Sequence, residues 1–104
     1  MANKGNQKRA SFEVELTDEA FYSYASLAPD RLFEHVTHDL ELLRDNPELG
    51  RAYDPVYAAQ TPPFECRVLY CEHLGIYYRL DETLGQVVIF AIIDQRKDPG
   101  ERFA

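Results

Sequence analysis

The sequence lacks any apolar run long enough to cross a bilayer. Its longest one, Val87–Ile93, has seven residues, whereas a membrane-spanning helix needs about 20. Residues 1–11 are polar and basic with no apolar stretch behind them, so we expect no secretory signal. The composition, 45% hydrophobic and 28% charged over 104 residues, is ordinary for one globular domain. We therefore expect a cytoplasmic protein with no membrane partner.

Basic residues are scarce. The chain has 11 lysines and arginines against 18 aspartates and glutamates, which gives a net charge of −7. Residues 11–52 alone carry ten acids and three arginines. An acidic chain is repelled by polyanions, so direct non-specific binding to nucleic acid is not expected.

The sequence also has few groups suited to catalysis or metal binding. Its two cysteines, Cys66 and Cys71, are five residues apart, and on one strand this separation places them on opposite faces. We therefore expect two free, packed thiols and no disulfide. With His73 they form a C-x4-C-x-H pattern that lacks a fourth ligand. No nucleophile–base set and no phosphate-binding glycine loop is visible, so we expect no metal and no cofactor.

The first half of the chain predicts a strand and two helices. Ser11–Leu16 alternates apolar and polar residues, as a half-buried strand does. Thr17 is a candidate N-cap that starts a short helix, and acidic residues follow it in the first turn. A second helix is predicted from about Asp30 to Arg44. The predicted apolar face of the first helix is Ala20, Phe21, Tyr24, Ala25 and Leu27. That of the second helix is Leu32, Phe33, Val36, Leu40 and Leu43.

The second half predicts three strands in a meander, Cys66–Tyr70, Ile76–Leu80 and Val87–Ile93, after a proline-rich loop. The last strand is apolar at both odd and even positions, which favours a central place in the sheet. The order β-α-α-β-β-β predicts a two-layer α+β domain over residues 11–104, with a helix hairpin packed on a mainly antiparallel four-stranded sheet. Residues 1–10 are predicted to be a flexible polar terminus.

The sheet face away from the helices is the predicted functional surface. With a turn centred on His73, this face carries Arg67, Leu69, Tyr77 and Arg79, and Arg67 lies opposite Arg79. Like charges directly opposite each other are unfavourable, which suggests an anion or an acidic partner nearby. The alternative is that each arginine pairs with a neighbouring carboxylate.

Beyond the last strand, Gln95, Arg96 and Lys97 form a short polar and basic segment. Basic side chains at a strand end can reach a phosphate or a carboxylate. The same segment is equally consistent with a solvated terminus held by neighbouring aspartates.

Several stretches of the sequence, in order, resemble the RelE/ParE superfamily of toxins from bacterial type II toxin–antitoxin (plasmid stabilisation) modules. Asn46–Arg51 resembles the N-P-x-x-G-R segment that follows the second helix of the family. Gly75–Arg79, the strand Val87–Ile93 and the closing Asp94–Pro99 are similar to the ParE-type pattern of I-x-Y-R, a β-branched strand and H-x-R-x-D-P. Asp94 stands where many relatives have a histidine.

The resemblance implies a compact toxin that is neutralised by a cognate antitoxin. RelE-like members cleave messenger RNA on the ribosome without a metal, and this branch implies Arg67, Arg79 and Arg96 as catalytic residues. The basic residue expected near Ile76 is missing, and the tail aromatic is Phe103, which cannot exchange a proton. The ParE-like branch, which poisons DNA gyrase by binding, is therefore favoured, and whether the chain is an enzyme stays open. A degenerate, non-toxic interaction module is the third alternative.

The resemblance and the predicted open face together give two sets of candidate residues. The predicted target-binding residues are Arg67, Tyr77, Arg79, Gln95, Arg96 and Lys97. The predicted antitoxin-binding residues are aromatic or apolar and expected to be exposed: Leu69, Tyr53, Tyr57 and Tyr77.

Overall fold

The computed structural model describes residues 11–53 and 65–96. In chain order the elements are β1 (Glu13–Leu16), α1 (Asp18–Ala25), α2 (Arg31–Asp45), β2 (Arg51–Ala52), β3 (Arg67–Cys71), β4 (Leu74–Asp81) and β5 (Gln86–Asp94). The predicted α+β class is confirmed. None of the described helices is long and apolar enough to cross a membrane.

The sheet has five strands in the order β1-β5-β4-β3-β2, one more than predicted. The additional strand, β2, is two residues long and pairs antiparallel with β3. β1 runs parallel to β5, and the other neighbouring strands are antiparallel. β5 lies between β1 and β4, as its apolar sequence predicted.

Local sequence signals set the starts of both helices. The Thr17 hydroxyl accepts a hydrogen bond from the Ala20 backbone N–H at 3.2 Å, and the Asp30 carboxylate accepts one from the Leu32 N–H at 3.0 Å. Each cap satisfies a backbone donor that has no partner inside its helix. The predicted helix boundaries are correct to within one residue at both N-termini.

The hydrophobic core lies between the two helices and one face of the sheet. From α1 it takes Ala20, and from α2 it takes the predicted stripe of Leu32, Val36, Leu40 and Leu43, all buried, with Phe33 half-buried. Its sheet side is formed by Cys71, Leu74, Ile76, Tyr78, Val87, Ile89 and Ile92. This one-sided packing leaves the opposite sheet face, called here the open face, without a helix among the described residues.

A β-bulge places both odd- and even-numbered residues of β5 on the core side of the sheet. The pairing with β4 shifts between Tyr77↔Ala91 and Tyr78↔Ile89, so Phe90 is an extra residue. A bulge of this kind changes which side chains face the core along a strand. Ile89 and Ile92 therefore both point towards the helices, although they differ in parity.

The register of the β3–β4 hairpin corrects the predicted one. The structure pairs Cys71 with Leu74 across a two-residue turn, so Arg67 lies opposite Tyr78 and not opposite Arg79. The predicted turn, centred on His73, was one residue too long. Because a one-residue shift exchanges the two faces of a strand, the predicted juxtaposition of Arg67 and Arg79 does not exist.

The short turn depends on Glu72, whose φ of 57° lies in the left-handed region. Two-residue hairpin turns require such a backbone conformation. The Glu72 carboxylate lies 2.5 Å from Nδ1 of His35 and 3.9 Å from the guanidinium of Arg31, both on α2. These contacts hold the turn against the helix, and Leu74, which the prediction left in the turn, is buried in the core.

The register change moves two predicted antitoxin-binding residues. Leu69 faces the helices and packs, half-buried, against the core, and Tyr77 on the open face is 0% exposed. The prediction that both are exposed is therefore wrong. Tyr57, Lys97 and the terminus 1–10 lie outside the described residues.

Candidate functional site

The open face is built from alternate residues of each strand, with one extra residue in β5 at the bulge, and its positions follow from the pairing register. It carries Glu13 and Glu15 from β1, Arg51 from β2, Val68 and Tyr70 from β3, Gly75, Tyr77, Arg79 and Asp81 from β4, and Gln86, Val88, Ala91 and Ile93 from β5.

Tyr77 is the centre of this face. Tyr53 packs edge-on against it with ring centroids 5.0 Å apart, and the Phe90 ring lies at 6.4 Å. The Tyr77 hydroxyl accepts a hydrogen bond of 3.0 Å from Nε2 of Gln95. Two predicted site residues, Tyr77 and Gln95, therefore contact each other, and Tyr53 adjoins them.

Gly75 makes this arrangement possible. A Cβ atom at that position would come within 2.6 Å of Gln95 Nε2 and 2.8 Å of the Tyr77 ring, closer than real Cβ atoms approach. The backbone N–H of Gln95 also donates to the His73 carbonyl at 2.7 Å. The start of β4 and the segment after β5 are thus joined through Gln95.

Arg79 is the one predicted catalytic residue that the described structure places on the open face. It is half-buried and pairs in register with Val88, which on its other side pairs with Glu15 of β1. A cation and a carboxylate therefore share this face on either side of Val88.

Arg67 lies on the opposite, helix-facing side and binds backbone. Its guanidinium donates to the Glu48 carbonyl at 3.1 Å and to the Gly50 carbonyl at 2.5 Å. Tyr78, its partner across the hairpin, accepts a hydrogen bond of 2.9 Å from the Gly50 N–H. Arg67 therefore holds the turn after α2 in place.

The same contacts give a physical reason for the N-P-x-x-G-R segment. A Cβ at Gly50 would lie 2.6 Å from the Val68 carbonyl oxygen and 2.7 Å from the Tyr78 hydroxyl. Only glycine allows the chain to pass this close to β3 and β4. The segment resembling the family is thus a packing feature of the fold.

Arg96 forms an ion pair with Asp94 just beyond β5. Its Nε donates to Oδ1 of Asp94 at 2.9 Å, a terminal nitrogen donates to Oδ2 at 2.7 Å, and its backbone N–H donates to Oδ1 at 2.9 Å. These side-chain and backbone hydrogen bonds hold the pKa of Asp94 well below its usual range. The guanidinium thus already binds a carboxylate of its own chain.

The two cysteines are free and buried, as predicted. Burial raises the pKa of Cys66 to about 11. Burial, followed by the nearby Asp39 carboxylate, raises the pKa of Cys71 to about 11. Since the thiolate is the reactive form, both side chains are poor nucleophiles at neutral pH.

The three arginines that a ribonuclease would use do not form one cluster. Arg67 points to the helix side, Arg79 lies on the open face, and Arg96 is paired beyond the end of β5. Sequence reasoning missed the position of Arg67, because the face on which Arg67 lies depends on the one-residue register of the hairpin. The contact of Arg96 with Asp94 is the alternative that the sequence offered for the tail, in which neighbouring aspartates hold it.

Sequence reasoning also missed the most exposed aromatic side chains among the described residues. Phe21 and Tyr22 on α1 are 52% and 70% exposed, and Tyr70 on the open face is 46% exposed. Phe21 was predicted to face the core, but α1 buries Ala20 and half-buries Tyr24 instead. The spacing of Ala20 and Tyr24, four residues apart, is the signal that separates these two faces of α1.

Comparison with known proteins gives consistent results. The family described as ParE toxin of type II toxin–antitoxin system, parDE, matches residues 9–99. No curated protein matches the sequence. A crystal structure of the toxin–antitoxin complex RelBE2 from Mycobacterium tuberculosis has a chain that is similar with a TM-score of 0.62 and 19% identity, over 85% of this chain and 95% of that one.

A second similar structure is that of the archaeal RelE–RelB complex from Pyrococcus horikoshii. Its TM-score is 0.65 at 11% identity, over 85% of this chain and 99% of that one. At these identities the two structures show a shared fold. Together with the family match they confirm the predicted RelE/ParE superfamily.

Proposed function

The chain belongs to the family of ParE toxins of type II toxin–antitoxin systems, and we propose that it acts by ParE-like binding to a protein target such as DNA gyrase. The toxin role itself follows from the family. The proposal concerns the mode of action, and the open face around Tyr77 and Arg79 is the surface assigned to the target.

The position of Arg67 is the observation that favours a binding mode over a ribonuclease. A ribonuclease needs several cations around one phosphate to stabilise the charge that develops in the transition state. Arg67 instead donates to the carbonyls of Glu48 and Gly50, on the other side of the sheet from Arg79. A binding mode requires no such cluster.

The ion pair of Arg96 with Asp94 also favours target binding over RNA cleavage. The Arg96 guanidinium is held by both oxygens of Asp94, so a phosphate would have to compete with a carboxylate two residues away. The net charge of −7 also disfavours docking on ribosomal RNA. Neither feature opposes contact with a protein.

A cognate antitoxin is part of the proposal. The two similar structures are complexes of a toxin with its antitoxin. In this chain Phe21, Tyr22 and Tyr70 are large apolar side chains exposed to solvent, which a partner would bury. These residues replace Leu69 and Tyr77 as candidates for that contact.

Two assays on the purified full-length protein test the mode of action. One measures supercoiling by DNA gyrase, and the other measures message cleavage in a ribosome-dependent translation reaction. We expect inhibition of gyrase that is reduced at least tenfold in Arg79→Ala and unchanged in Arg44→Ala, an exposed arginine on α2. Cleaved messages with unaffected gyrase would replace the proposal by the ribonuclease alternative, and no effect in either assay would favour a non-toxic module.

A further inference from the structure

A cleft of about 480 Å³ lies where the C-terminal end of α2 meets the end of β4. Among the described residues, its apolar lining includes Phe12, Leu49 and Leu80, and its acidic lining is Asp45, Glu48 and Glu82. Leu49 is 45% exposed, and Phe12 and Leu80 are half-buried. The volume lies within the range of ordinary ligand pockets, about 300–1,000 Å³.

The three carboxylates have no cationic partner in the described part of the chain. The ion pairs among residues 11–53 and 65–96 involve Glu72 and Asp94 only. Asp45 accepts a neutral hydrogen bond from the Ser11 hydroxyl at 2.9 Å. Three negative charges around one apolar cleft create a field that favours a positive group.

We propose that this cleft binds a segment of the antitoxin in which an apolar side chain is next to a lysine or arginine. The proposal rests on the proposed function, since it assigns a surface and a chemistry to that partner. The apolar residue would pack on Phe12, Leu49 and Leu80, and the cation would lie between Glu48 and Glu82. Both contacts are complementary to what the cleft presents.

The charge of the cleft also decides between kinds of partner. Phosphate groups of nucleic acids and anionic lipid headgroups are repelled by the three carboxylates. A second copy of this chain would bring a further net charge of −7 to the interface. A basic and apolar polypeptide is the occupant with the matching charge.

The test measures affinity between this chain and its cognate antitoxin, taken as a protein whose co-expression suppresses the toxicity of this chain, at low and at high salt. Glu48→Gln combined with Glu82→Gln removes two charges without changing side-chain size. We expect this variant to bind about tenfold more weakly at low salt, with a smaller difference at high salt because of screening. Leu49→Ala should weaken binding about fivefold at both salt concentrations.

Matched controls separate the cleft from the general charge and apolarity of the surface. Glu34→Gln combined with Glu41→Gln removes two exposed charges from α2 outside the cleft, and Leu84→Ala shortens an exposed leucine in the β4–β5 turn. Both controls should bind within twofold of the wild type. Thermal melting of each variant verifies that it is folded.

The outcomes distinguish the two proposals. If the wild type binds and the cleft variants bind equally well, the cleft assignment is overturned while the antitoxin partnership stands. If no co-expressed protein that suppresses toxicity binds the wild type, both are overturned. If the cleft variants change only the oligomeric state of the isolated chain, the occupant is a second copy and the cleft assignment fails.

Discussion

Arg67 and Tyr78 lie directly opposite each other in the β3–β4 hairpin, and both side chains bind the backbone of Gly50. The Arg67 guanidinium donates to the Gly50 carbonyl at 2.5 Å, and the Tyr78 hydroxyl accepts from the Gly50 N–H at 2.9 Å. Side chains of two strands thereby complete the hydrogen bonding of a buried turn. This pair makes Arg67 a structural residue of the fold.

We expect Arg67→Ala and Tyr78→Phe each to lower the free energy of unfolding by about 1–3 kcal/mol, because each leaves a Gly50 backbone group without its partner. The double variant should lose less than the sum, since both act on one turn. Chemical denaturation of the four proteins measures this coupling. The control Arg44→Ala should change stability by no more than about 0.5 kcal/mol, and strictly additive losses would contradict the shared role.

Gly50 itself should tolerate no side chain. Gly50→Ala places a Cβ within 2.6–2.7 Å of the Val68 carbonyl oxygen and the Tyr78 hydroxyl, and relief of this overlap should cost about 1–3 kcal/mol. Gly85→Ala isolates backbone strain, because a Cβ there meets no atom within 4 Å and only the φ of +66° opposes it. It should cost about 1 kcal/mol, so a larger loss in Gly50→Ala measures the overlap. Equal melting temperatures for wild type and Gly50→Ala would show that the turn moves freely.

The sequence predicted those parts of the fold that depend on local patterns. The hydroxyl of Thr17, the carboxylate of Asp30 and the stripe from Leu32 to Leu43 act within one or two helical turns. Their roles could therefore be inferred without knowing the rest of the chain. The order of these elements, with the family resemblance, was enough for the α+β class.

The candidate site could be predicted less well because it depends on register. The left-handed backbone of Glu72 shortens the hairpin turn by one residue, and this reverses the faces assigned to Arg67 and Leu69. The alternation of Leu74, Ile76, Tyr78 and Leu80 was the available signal, since it extends the strand back to residue 74. The contact of Arg67 with Gly50 joins residues 17 apart and has no local signature.

The buried cysteines should resist alkylation. Because their pKa values are raised to about 11 from an ordinary value of 9.0, their thiolate fraction at pH 8 is roughly a hundredfold below that of an unperturbed thiol. Modification by iodoacetamide, followed by mass spectrometry, should be correspondingly slow in the native protein and rapid in urea. Fast native labelling of Cys71, or of Cys66 directly before β3, would mean that this edge of the sheet opens readily.

The Asp94–Arg96 pair should make the free energy of unfolding depend on pH in the acidic range. Because hydrogen bonds from Arg96 hold the pKa of Asp94 below its ordinary value of 3.8, the folded state binds this proton less readily than the unfolded chain. The stabilising contribution is therefore complete above pH 3.8 and is lost as the pH falls through the lower pKa of the folded state. Asp94→Asn, which cannot ionise, should lack this part of the acid dependence.

Melting temperatures of the wild type and Asp94→Asn between about pH 7 and pH 2 measure this contribution. The wild type should be slightly more stable at neutral pH, and the difference should shrink below pH 3.8 as Asp94 becomes protonated. It should also shrink in high salt, because the pair is exposed and therefore screened. Glu34→Gln, an exposed carboxylate on α2, serves as the control. If the difference between wild type and Asp94→Asn is the same at every pH, the ion pair does not stabilise the folded state, and Arg96 is available to bind an anion on a target.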